Sequence, residues 1–132
     1  MTTRPLKLSY VFRRPRYPVL CQVAGDVVAA RNRPEMERRL GRLDLPQDGR
    51  LPMVDAMGEG WEVHLALGAV SPLVLKKRWT KADVLRLYRE SATGQRLGLP
   101  DDERRLLRLR LDDLILTIVD LVEQAARRRG NR

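Results

Sequence analysis

The chain has 132 residues, a net charge of +9 and one cysteine. That length suits one domain with its own hydrophobic core, and a single cysteine excludes any intramolecular disulfide. Charged residues make up 33% and hydrophobic residues 43%, which places the chain with globular proteins. Aromatics are only 5%, so the core must be built mainly from Leu, Val and Ala.

The basic excess lies mostly in the first fifty residues, and over the whole chain the basic residues are 22 Arg against 4 Lys. Such a field attracts nucleic acid, acidic proteins or anionic surfaces. Codon bias in a GC-rich genome is the alternative source of that Arg content. The N-terminus lacks the apolar core of a signal peptide, because Lys7 and Arg13 interrupt it. The most apolar run, Leu114 to Val119, is far shorter than the roughly 20 residues a membrane span needs. These features predict a cytoplasmic protein with no membrane partner.

Leu6, Leu8, Tyr10 and Phe12 alternate with Lys7, Ser9, Val11 and Arg13, which predicts a half-buried strand. Arg14-Pro15-Arg16-Tyr17-Pro18 breaks it, since prolines remove ladder donors. Val19 to Val23 reads as a second strand. Ala24-Gly25-Asp26 is a turn, after which Val27 to Ala30 returns as a hairpin or starts a helix. Asn32-Arg33-Pro34-Glu35 is a helix start, and Gly41 can end that short helix. Leu51 to Ala56 and Trp61 to Leu67 flank a glycine-rich hairpin turn. Val70 to Lys77 is a further strand. Thr80 can cap a helix running to Ser91, with Asp83 near its positive end. Asp101 to Arg129 is predicted as one long helix.

The predicted fold is therefore α+β in a single domain, 1–132. An antiparallel sheet of four to six strands and a short middle helix occupy 1–78. Two helices follow, at 80–91 and 101–129, the second long and amphipathic.

Candidate chemistry is sparse. One His and one Cys far apart in sequence give no zinc spacing, so no metal or cofactor is expected. Asp55, Glu62 and His64 share the central hairpin and form the best catalytic constellation, with Lys76 nearby. Their order resembles the Asp…Glu-x-Lys layout of metal-dependent nucleases only in part. Position 64 is His where that layout has Lys, and the Asp-to-Glu spacing is short.

Two basic clusters hold an aromatic residue. The first is Arg13, Arg14, Arg16 and Tyr17. The second is Lys76, Lys77, Arg78 and Lys81 around Trp79. Cations neutralise phosphates and an exposed ring stacks on a base, so both clusters are candidate DNA or RNA contacts. Trp79 itself is expected to plug the core. In the last helix Leu107, Leu111, Leu114, Ile118 and Leu121 recur at coiled-coil spacing and predict a homodimer seam. The function expected is a small basic, non-enzymatic binding protein engaging nucleic acid through phosphates. The alternatives are an adaptor or assembly factor working through its long helix and, third, a metal-dependent nuclease.

Overall fold

Six strands and five helices are seen in a computed structural model that describes residues 5–73, 78–99 and 102–130. The strands are β1 (Ser9–Tyr10), β2 (Val19–Val23), β3 (Asp26–Ala30), β4 (Arg50–Val54), β5 (Gly60–His64) and β6 (Ala69–Pro72). They form one sheet in the order β1-β6-β5-β4-β2-β3. The helices are α1 (Arg33–Gly41), α2 (Lys81–Glu90), α3 (Ala92–Leu97), α4 (Glu103–Arg108) and α5 (Leu111–Gly130). No helix among the described residues is long and apolar enough to cross a membrane.

The sheet has a core on each face, because successive strand residues point to opposite sides. Val19, Cys21, Leu51, Met53, Trp61, Val63 and Val70 meet Met36 and Leu40 of α1 on one face. On the other, Leu20, Val27, Ala29 and Val54 meet α2, α4 and α5. Burial pushes the Cys21 thiol up to about 12, so it behaves as an inert small hydrophobe there.

Local signals set most boundaries. The Asn32 side chain accepts the Glu35 N–H at the start of α1. Thr80 and Asp83 form a reciprocal capping box at α2. The strand alternative holds for 26–30, which pairs with β2 from Val19↔Ala30 to Val23↔Asp26. In α3, a Cβ on Gly94 would stand 1.8 Å from the Tyr88 carbonyl oxygen, so only glycine lets the chain turn there.

Three expectations need correction. The sheet is mixed, not antiparallel, because β1 runs parallel to β6. The chain reaches β2 from that edge by crossing the end of the sheet, a route no two-residue hairpin provides. The N-terminal strand is also shorter than its alternation implies and stops before Phe12. Finally, 101–129 is not one helix. Leu109 is extended (φ −68°, ψ 152°) between α4 and α5. The break turns Leu106 and Leu109 into the core, and Asp112 and Asp113 supply the acidic first turn of a new helix. The helices after the sheet thus number four, not two.

The coiled-coil seam serves the chain's own core. Leu114 and Ile118 are fully buried, and Leu111 and Leu121 pack against the same cluster. Of the five seam residues only Leu107 is exposed, at 40%. Leu114 and Ile118 are therefore closed to a second copy in this fold.

Candidate nucleic-acid interface

β1, β3 and β4 all deliver the chain to one end of the sheet. There the crossing loop 12–17, the start of α1 and the β4–β5 turn meet. Asp55 organises the junction from a buried position. Its Oδ1 accepts the Met57 and Glu59 amides at 3.0 and 2.9 Å. Its Oδ2 accepts the Trp61 indole N–H at 3.1 Å and the Arg16 amide at 3.3 Å. A second bond, Ala56 N–H to the Arg16 carbonyl at 2.8 Å, fastens the loop to the turn. A buried carboxylate needs such donors to offset its lost hydration.

Glu59 lies at the middle of the cations. Arg13 grips it with both terminal guanidinium nitrogens, Nη1 and Nη2, and also lies over the Trp61 ring at 5.2 Å. The Glu59 carboxyl is held below its usual range, chiefly by that hydrogen bond and further by the charges of Arg13, Arg78 and Arg16. Arg78 bridges to Glu59 through the backbone and donates to the Met57 carbonyl at 3.0 Å. Arg78 of the second basic cluster thus joins Arg13 and Arg16 of the first around one carboxylate.

Beside them Arg14 and Arg33 converge on one ring, 6.0 and 5.8 Å from the Tyr10 centroid. The Tyr10 and Tyr17 hydroxyls share a hydrogen bond of 2.9 Å. Burial, with that bond, pushes the Tyr17 phenol well above its ordinary range, so it stays neutral. Arg14, Arg16 and Arg33 are exposed and form no ion pair among the described residues.

No protein-family model, curated protein or solved structure matches the chain.

The residues singled out in sequence fall into three groups. Arg13, Arg14, Arg16, Tyr17 and Arg78 come together at the sheet end. Tyr17 is a wall there, its hydroxyl occupied by Tyr10. Lys81 stands apart, donating to the Leu107 carbonyl at 2.9 Å and so tying α2 to α4. Lys76 and Lys77 lie outside the described residues.

Asp55 is not brought together with Glu62 and His64. Asp55 reaches the Trp61 side of the sheet, whereas Glu62, the next residue along β5, projects from the opposite face. His64 Nε2 lies 3.1 Å from Ser71 Oγ and 3.4 Å from the Glu62 carboxylate. Among the described residues no group of three or more His, Cys, Asp or Glu is placed to hold a metal. A groove of about 390 Å³ opens on this second face, between Gln22, Pro52 and Glu62 of the sheet and Asp83, Arg86 and Glu90 of α2. Three carboxylates against one arginine make its described lining a poor seat for a phosphate.

Two members of the sheet-end cluster were missed in sequence. Arg33 reads there only as part of a helix start. Phe12 reads as an inward strand residue, yet it is 92% exposed with φ +72°. The signal available was the run Arg13-Arg14, which puts a charge on both faces of any continued strand.

Proposed function

We propose that this chain is a small, non-enzymatic nucleic-acid-binding protein whose contact surface is the sheet end around Glu59. The observation that carries the reading is the concentration of guanidinium groups. Arg13, Arg16 and Arg78 act on a single carboxylate, and among the described residues Arg14 and Arg33 stand beside them without one. A local field of that sign is matched by a run of phosphates, which a strand of DNA or RNA supplies at regular spacing. Few amide or hydroxyl side chains accompany the cations, so base readout is weak and the binding is mainly electrostatic. The adaptor reading has less support, because Leu114 and Ile118 pack inside their own fold. A nuclease reading loses its best metal ligand in Asp55, whose two oxygens already accept four N–H groups.

The test is fluorescence anisotropy on labelled DNA and RNA across salt concentrations. Wild-type affinity falls steeply with salt, and the double variant Arg14→Glu/Arg33→Glu lowers the slope of log K against log salt by about two. Charge reversal at Arg127 and Arg128, exposed near the end of α5, has a smaller effect. Equal losses from both pairs would mean a diffuse field with no site. Absence of binding at low salt would end the reading.

A further inference from the structure

Resting on that reading, we propose that the site selects single-stranded over duplex nucleic acid, with Phe12 as the platform on which an unpaired base stacks. The chain has six aromatic residues, and Phe12 alone has its ring in solvent. Tyr10 and Tyr17 are half-buried, and Trp61, Trp79 and Tyr88 are in the core.

The backbone holds Phe12 in that position against its own preference. The Arg13 N–H bonds the Val11 carbonyl at 2.9 Å, closing a three-residue turn with Phe12 at its tip and φ +72°. This is the rare, strained form of such a turn, and a large side chain is an uncommon occupant of that region. Both flanks are fixed. The Val11 N–H bonds the Val70 carbonyl at 2.9 Å, which extends the β1–β6 pairing. On the other side Arg13 is clamped to Glu59 and covers Trp61. The ring is therefore presented on a short, doubly anchored arch, and binding loses little conformational freedom there.

Its neighbours decide what the ring meets. Arg13, Arg14 and Arg16 follow within four residues, and Arg33 converges with Arg14 on Tyr10. An apolar platform followed directly in the chain by Arg13, Arg14 and Arg16 suits a ligand with flat faces strung on a phosphate chain. A single strand offers both at once. A duplex keeps its base faces in its own stack, and opening a step costs a few kcal/mol. Stacking on one aromatic side chain tolerates any base, so the selectivity is for strandedness and not for sequence.

The experiment measures affinity for a fluorescein-labelled single-stranded DNA of mixed sequence and for the same strand annealed to its complement. Wild type prefers the single strand, and Phe12→Ala lowers the single-strand-to-duplex affinity ratio about tenfold. Phe12→Trp restores the ratio. Phe12→Gly lowers it while leaving the melting temperature unchanged or raised, which separates a contact role from a folding role. An unchanged ratio in Phe12→Ala, alongside strong losses on both ligands in Arg14→Glu/Arg33→Glu, overturns the single-strand inference and leaves the phosphate-binding reading standing. No wild-type binding to either ligand overturns both. Capture by phosphatidylserine vesicles without single-strand binding also overturns it, and assigns the ring to a lipid surface.

Discussion

Phe12 and Trp79 are both aromatic residues next to runs of basic side chains, and the fold treats them oppositely. Phe12 is 92% exposed and Trp79 is 8% exposed. The environment of the ring is set by what the backbone on each side is attached to. Trp79 donates its amide to the Gly58 carbonyl at 2.7 Å and stands one residue before the Thr80 cap, so its ring is carried under α2. Phe12 is the tip of a loop whose flanks are tied to β6 and to Glu59, so its ring has no interior to enter. The cations follow the same division. Lys81 is turned to a helix carbonyl, whereas Arg14 and Arg33 remain open. Aromatic-plus-basic composition therefore does not identify a contact surface by itself, and the anchoring of the backbone does.

The largest expected effect tests the buried member of the pair. Trp79→Ala should destabilise the domain by about 3–5 kcal/mol, the range for a large buried aromatic. Phe12→Ala should change stability by less than about 0.5 kcal/mol, as for surface sites generally. Urea unfolding followed by circular dichroism measures both. Similar losses from the two variants would erase the distinction drawn between the rings.

Next in size is Asp55→Ala, expected to cost about 3 kcal/mol or more. It leaves the Met57, Glu59 and Arg16 amides and the Trp61 indole without their acceptor, three of them around the turn that positions Glu59. The loss should appear both as lowered stability and as weakened nucleic-acid binding, because the crossing loop is released with the turn. A variant of wild-type stability would show that Asp55 is not the organiser of this end.

Phe12→Gly should have a smaller effect of opposite sign. Glycine occupies φ +72° without steric penalty, and strain of this kind is worth about 1 kcal/mol or somewhat more. Loss of entropy in the folded glycine offsets part of it. A melting temperature that falls in this variant would mean that the Phe12 ring contributes packing that its exposure does not reveal.

How legible these features were depends on how local their causes are. The caps at Asn32 and Thr80, the turn at Gly25 and the alternation of Trp61 and Val63 are decided within a few residues, and they read correctly. The two basic clusters were visible as composition. Their meeting at Glu59 was not, because it depends on β1 entering parallel to β6 and on the loop crossing three strands. Leu107 to Leu121 have seam spacing, but spacing alone does not say which surface a helix faces, and Leu114 and Ile118 face the chain's own core. The acidic pair Asp112-Asp113, in the middle of an apparently continuous helix, was a readable restart signal. The absence of Gly or Pro around it masks the break. Phe12 is not legible because alternation does not show where pairing stops: the β1–β6 register ends at Tyr10↔Val70 and the chain turns at Phe12 with φ +72°.

A comparably small effect is expected at Glu59, whose carboxylate competes with phosphate for Arg13. Its folded pKa lies below its ordinary value, held there first by the Arg13 hydrogen bond. The stability this contact contributes is complete above the unfolded value near 4.5 and is lost as pH falls through the folded one. Affinity for nucleic acid should move the other way. Protonating Glu59 removes one negative charge from the middle of the cations and releases both nitrogens of Arg13, while the phosphates stay ionised. Glu59→Gln imitates that state at neutral pH, and about a fivefold gain in affinity at low salt is expected from one unit charge at contact distance in water. As pH is lowered below the usual carboxylate range, wild-type affinity should approach that of the variant. Other carboxylates titrate in both proteins, so the closing gap between the two, and not either curve alone, reports Glu59. Anisotropy titrations over that range, with circular dichroism to confirm the fold at each pH, supply the measurement. A variant that binds no better than wild type at neutral pH would place the phosphate away from Arg13. It would then assign the contact to Arg14 and Arg33, on the Tyr10 side of the loop.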